Sequence, residues 1–270
     1  MIDISCDPTI ESALTAAAFG NEPGRWPLPS AATPRQLWLR AVGAGGQGRY
    51  GSARNDLATL LRSAPADRLA SLAHSTQASL LRQLGWHRLA RGWDGRAFAL
   101  AGPDPEAAAD ALIGLAADAL GIGRLAAAAT LLSRAEPFAA EAPQHRLSMR
   151  RAWVAAELAM AAGDGAVAVR NAELAVELAA NGPASARHGA KSEVVLAAAL
   201  CSAGAVDRAR TVGATALELT DRLGLVPLRW AVACLLVDIG SPTRAIAQLC
   251  DIRDQCARQV QHWGGAWNQR

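Results

Sequence analysis

Apolar residues recur at helical spacing along most of this chain. Between Ala109 and Ala135, Leu112, Leu115, Ala116 and Ala119 fall at i, i+3, i+4 and i+7, one face of a helix. Ala128, Leu132 and Ala135 form a matching stripe beyond the turn Gly121-Ile122-Gly123. The pattern predicts two helices of about a dozen residues, too short to be stable in water alone. Each needs neighbours that present similar faces.

The chain supplies them. Counted from Gly123, leucines stand eleven and eight residues before the turn (Leu112, Leu115), with Ala116 seven before and Ala128 five after. The same frame on Gly163 gives Ala152, Ala155, Ala156 and Ala168, and on Gly204 it gives Leu196, Ala197, Leu200 and Ala209. On Gly240 it gives Val232, Ala233, Leu236 and Ala245, and on Gly92 it gives Leu81, Leu84, Gly85 and Ala97. A looser copy on Gly48 has Leu37, Ala41, Ala44, Ala53 and Leu57. Six hairpins follow, their turns 44, 31, 40, 41 and 36 residues apart. The small residue before each turn and the alanine after it let paired helices approach, and leucines fill the space between units.

The ends differ. Residues 1–33 read as an N-terminal arm: Asp7-Pro8 suits a helix start, and Ile10, Leu14, Ala17 and Ala18 make one apolar stripe that Gly20 ends. The proline-rich NEPGRWPLPSAATP beyond it should be extended, with Trp26 and Leu28 able to dock on the hairpins. Residues 34–260 form the repeat domain, and 261–270, containing HWGGAWNQR with Trp263 and Trp267, read as a frayed tail.

Composition agrees with an all-α fold. Hydrophobic residues make up 51% of the chain but aromatic residues only 4%, so alanine and leucine, both strong helix formers, do the apolar work. No apolar run reaches the roughly 18 residues of a membrane span. The first fifteen residues carry acids in place of a basic leader, which points to the cytoplasm. The net charge of +3 is too small to argue for nucleic acid, and 26 arginines against the single Lys191 are spread around the helices. Five widely spaced cysteines favour reduced thiols packed as small hydrophobes.

The hairpin pattern resembles the tetratricopeptide-repeat family. The residues carrying it are Leu81-x-x-Leu84-Gly85 with Ala97, Leu112-x-x-Leu115-Ala116 with Ala128, and the turns GDGAVA (163–168) and GAVDRA (204–209). The resemblance covers roughly Pro34 to Gln259. It implies a right-handed α-solenoid of about six helix-turn-helix units, a scaffold defined by packing, so it fixes no partner. The spacing runs longer than the family's usual ~34 residues, and small aliphatics replace most of its Trp and Tyr signature.

Little points to catalysis. Gly43-Ala44-Gly45-Gly46-Gln47-Gly48 is a literal GxGxxG, but a dinucleotide site needs a preceding strand and a second strand ending in an acid. Asp67 has the distance without the strand, so these glycines fit an interhelical turn better. The five histidines, His74, His87, His145, His188 and His262, are scattered, with none beside an evident nucleophile. No metal ligand set or cofactor is implied.

Binding has more support. In stacked hairpins the first helices line the concave face, at positions thirteen, ten, nine, six, three and two before the turn glycine. Ten before stand Trp38, Arg82, Ile113, Trp153, Val194 and Trp230; six before stand Val42, Trp86, Ala117, Glu157, Ala198 and Cys234. Thirteen before stand Arg35, Ser79, Asp110, Arg150, Lys191 and Pro227. A groove of Trp38, Trp86, Trp153 and Trp230 with Arg82, Arg150, Glu157 and Lys191 suits an apolar peptide or protein segment carrying acidic groups. The expectation is a non-enzymatic protein–protein adaptor. Two others stand beside it: a regulatory sensor for a small ligand or short peptide, and a self-associating homodimer whose groove the arm occludes. The same tryptophans could also be buried where a tight superhelix closes on itself.

Overall fold

The computed structural model describes residues 8–63, 68–142 and 145–268. Among these the chain is all-α, with thirteen helices and no strand. Asp7, Asp67 and the last two residues of the tail lie outside them. A first helix, α1 (Pro8–Phe19), precedes six hairpins. These are α2 (Pro34–Gly46) with α3 (Tyr50–Ser63), α4 (Arg68–Gln83) with α5 (His87–Leu100), and α6 (Pro105–Gly121) with α7 (Leu125–Glu141). Then come α8 (His145–Ala161) with α9 (Gly165–Asn181), α10 (Ala186–Ser202) with α11 (Val206–Arg222), and α12 (Val226–Ile239) with α13 (Ile246–His262). No helix of the described residues is long and apolar enough to cross a membrane.

The hairpin turns carry Gly48, Gly85, Gly123, Gly163, Gly204 and Gly240, all with φ between 77° and 87°. Other residues are strained there, so glycine marks the turn. One expectation is corrected: the second turn is at Gly85, and Gly92 lies inside α5. With that correction the turns are 37, 38, 40, 41 and 36 residues apart, a far more even repeat.

The packing follows the same register. Seven residues before the turns stand Ala41, Ala78, Ala116, Ala156, Ala197 and Ala233, each 0% exposed. Five after stand Ala53, Ala90, Ala128, Ala168 and Ala209, buried as completely. Ala245 breaks the series and is exposed, because α13 starts six residues after its turn glycine where the other second helices start two after. Each helix packs on the next, and the first helices also pack on one another, α2 on α4 and so on to α12. An inner layer of first helices and an outer layer of second helices result.

The row returns on itself. One apolar cluster joins Tyr50, Leu57 and Leu60 of the first hairpin to Val226, Cys256 and Val260 of the last. Gly48 faces Pro227 and Val260, leaving no room for a Cβ without a shift of a few tenths of an ångström. The arm helix α1 lies on α2 and reaches α10, where Ala186 N–H donates to Gly20 O at 3.1 Å. The tail expected to fray is instead docked as far as Asn268. Gly51 N–H donates to Trp263 O at 2.8 Å, and Asn268 N–H donates to Leu84 O at 2.9 Å. Arg49 lies 3.9 Å from the ring centroids of both Trp26 and Trp263, joining arm, first hairpin and tail.

Candidate functional site

The inner layer surrounds a cavity of about 440 Å³. Ten residues before the turns, the first four hairpins present Trp38, Ser75, Ile113 and Trp153 to it; six before, they present Val42, Ser79, Ala117 and Glu157. The register that packs the hairpins therefore also builds this wall. From α1 comes Phe19, and from α10 come Arg187, His188 and Lys191.

Four rings form a continuous run. Trp38 and Phe19 are 5.4 Å apart between centroids, Phe19 and His188 are nearly parallel at 6.3 Å, and His188 stacks on Trp153 at 5.6 Å. Trp38 Nε1–H donates to Thr76 Oγ1 at 3.0 Å and Trp153 Nε1–H to Ser192 Oγ at 2.9 Å. The indole donors of this wall are satisfied inside the protein, so the part of each indole that lines the cavity is apolar.

Beside it lies a layered ion network. Seventeen residues before the turns the register reads Arg68, Glu106, Arg146 and Arg187; thirteen before, it reads Asp110, Arg150 and Lys191 in the third to fifth hairpins. Glu106 accepts from Arg68 on one side and from Arg146, at 2.7 Å, on the other. Asp110 pairs with Arg150 and, at 3.2 Å, with Arg146. Lys191 pairs with Glu157 at 3.0 Å. Arg187 donates to Ala18 O at 3.2 Å but has no carboxylate partner among the described residues, and its Nε has no hydrogen-bond acceptor. A Cβ on Gly46 would stand 2.8 Å from Arg187 Cδ, so the bare helix end of α2 is what makes room for this side chain.

Burial depresses Arg146, Arg150 and Arg187 to about 10, with Arg146 adding to the effect on Arg187 and Arg82 and Arg187 adding to that on Arg150. They stay charged at neutral pH but repel one another in a desolvated setting. Burial, then Arg187, Arg146 and Arg150, hold His188 well below 6.5, so its ring is neutral.

A second cluster is structural. Arg82 donates to Asp94 at 2.8 Å, to Asp118 at 2.7 Å and to Gly114 O at 3.0 Å, tying three helices together. Both carboxylates are fully buried, and burial pushes Asp94 up to about 7 against the pull of Arg82. A Cβ on Gly114 would collide with the Asp94 carboxylate at 2.2 Å, which explains a glycine in the middle of α6.

Of the eight residues expected to line a groove, Trp38, Arg82, Arg150, Trp153, Glu157 and Lys191 meet at this one cavity. Trp86 and Trp230 do not. Trp86 caps α5 and donates to Ala266 O at 2.7 Å, and Trp230 packs on Trp267 at 4.5 Å, so the tail covers both. Trp86 was placed by counting from Gly92, and Trp230 belongs to the hairpin where the row closes. The arm fills the inner face with Phe19, while Leu28 rests against Gly43 and Trp26 sits on Arg49, 43% exposed. The GxGxxG segment is the end of α2 and its turn, with no strand before it.

Sequence reasoning missed Phe19, Arg146, Arg187 and His188. Arg146 and Arg187 lie one helical turn beyond the positions counted, at the same register place in successive hairpins, so one further turn of the frame reaches them. Phe19 carries no such signal, because its place depends on how the arm docks. Comparison with known protein families and with curated proteins finds no match for this chain.

Proposed function

We propose that the chain is a TPR-like α-solenoid of six hairpins that acts, without catalysis, as a receptor for a small organic ligand or the end of a short peptide. The ligand's flat apolar part rests on the Trp38–Phe19–His188–Trp153 wall. The observation that carries this reading is that wall inside a cavity of about 440 Å³, within the size range of small-molecule sites. The reading of an open adaptor groove has less support. It calls on Trp86 and Trp230, which the tail covers, and on Arg82 and Lys191, which internal carboxylates already hold.

The scaffold suits a sensor. The arm and both terminal hairpins contribute to the cavity wall, through Phe19, Trp38 and Leu228, so a ligand that binds the closed form more tightly than an opened one favours closure. The test fills the cavity. Ala117 lines it from α6 and is replaced by tryptophan. Small aromatic acids that raise the melting temperature of the wild-type chain should then lose that effect on Ala117→Trp. Equal stabilisation of both proteins would place binding elsewhere.

A further inference from the structure

The ion network alternates and then stops. Arg68, Glu106 and Arg146 occupy one register position in three successive hairpins, and each contact joins opposite charges. The fourth member, Arg187, follows Arg146 with a like charge, and the shorter α12 starts after the corresponding place, where Leu223 caps the end of α11. Three arginines, Arg146, Arg150 and Arg187, thus share two carboxylates, Glu106 and Asp110, while Arg68, which also holds Glu106, has Asp104 as a further partner at 3.1 Å. Within this set of four arginines and three carboxylates, Asp104, Glu106 and Asp110, one positive charge is left over. Arg187 is where it is least compensated, with only Ala18 O accepting from it and its Nε unpaired. It lines the cavity beside the aromatic run.

We propose that Arg187, with Arg146 and Arg150, receives an oxyanion of one to two charges, a carboxylate or a phosphate, carried by the ligand whose apolar part lies on the aromatic wall. This rests on the reading of the cavity as a ligand site and adds the ligand's charge. An acceptor with two or three charged oxygens, as in a carboxylate or a phosphate, matches guanidinium donors and supplies the negative layer that the alternation lacks. Gly46 is the positioning residue, since its missing side chain lets Arg187 reach across the end of α2.

The experiment uses the full chain and three probes with the same ring: benzoate, phenyl phosphate and benzyl alcohol. Dissociation constants are measured by calorimetry for wild type, Arg187→Gln and Gly46→Ala. An anionic probe should bind wild type more tightly than benzyl alcohol, and Arg187→Gln should weaken it about tenfold or more while benzyl alcohol keeps its affinity. Gly46→Ala meets only a flexible side chain, so it should fold and show the same selective loss in smaller measure. Whichever of benzoate and phenyl phosphate binds more tightly names the source of the oxyanion. If all three probes bind alike and Arg187→Gln changes none of them, the oxyanion site is wrong while the apolar cavity stands. If none binds, the cavity reading fails and this proposal fails with it.

Discussion

At the scale of single residues, the site is defined by what each side chain lacks. His188 lies between the rings of Phe19 and Trp153, with Ser185 Oγ 2.5 Å from its Nδ1 and Arg146, Arg150 and Arg187 as its charged neighbours. Protonating it would add a fourth positive charge to a desolvated cluster. The linkage sign follows: an unfolded histidine takes up a proton below about pH 6.5, whereas this one stays neutral in the fold, so its contribution is present above that pH and is lost as pH falls. Acid unfolding should therefore cost wild type up to about 2 kcal/mol more than His188→Gln between neutral pH and about pH 5. Urea unfolding at several pH values measures the difference; parallel curves for the two proteins would show that His188 is not held neutral. Trp38, Arg150, Trp153, Glu157 and Lys191, which line the cavity, occupy register positions of the repeat. Phe19 and His188 owe their meeting to a contact between segments about 170 residues apart, to which no periodicity points.

At the scale of elements, the repeat was legible because its packing is dictated by size. A helical pair can approach closely only where small residues face each other, and alanine recurs at those places with almost no exception. The misplaced second turn shows the limit of such reading. Leu81-x-x-Leu84-Gly85 mimics the apolar pattern of a first helix, and Gly92 mimics its turn, yet only the backbone distinguishes a glycine at positive φ from one inside a helix. Uneven spacing was the available sign, since the correct turn removes it. Two alanines at the same register place give a direct check. Ala209→Leu puts three extra carbons into a closed contact and should cost about 1–3 kcal/mol, whereas Ala245→Leu, on an exposed position, should change stability by less than about 0.5 kcal/mol. Chemical denaturation of both variants decides it, and equal effects would mean that the alanine register does not set the packing.

At the scale of the whole molecule, closure turns a row of hairpins into a container. Nothing in a single hairpin specifies it. The small rotation from one unit to the next accumulates over six of them, and the outcome is that Val226, Cys256 and Val260 share a core with Tyr50, Leu57 and Leu60. Sequence reading could name closure as one fate of the inner tryptophans but had no means of choosing it over an open groove. The consequence for function is large. An open groove would offer tryptophans along its whole length, whereas the closed form separates them, with Trp38 and Trp153 at the cavity and Trp86, Trp230, Trp263 and Trp267 in the seam made by the tail. Trp26 lies on the arm and Trp93 on the outer helix α5 beside His74.

That separation allows the central claim to be tested in one measurement. Each tryptophan has its own indole N–H signal in an NMR spectrum, and a ligand disturbs those it touches. Titrating the protein with phenyl phosphate, and in parallel with benzyl alcohol, should move the signals of Trp38 and Trp153 and leave the other six in place. Movement confined to Trp86 and Trp230, or spread evenly over all eight, would contradict a ligand held in the central cavity.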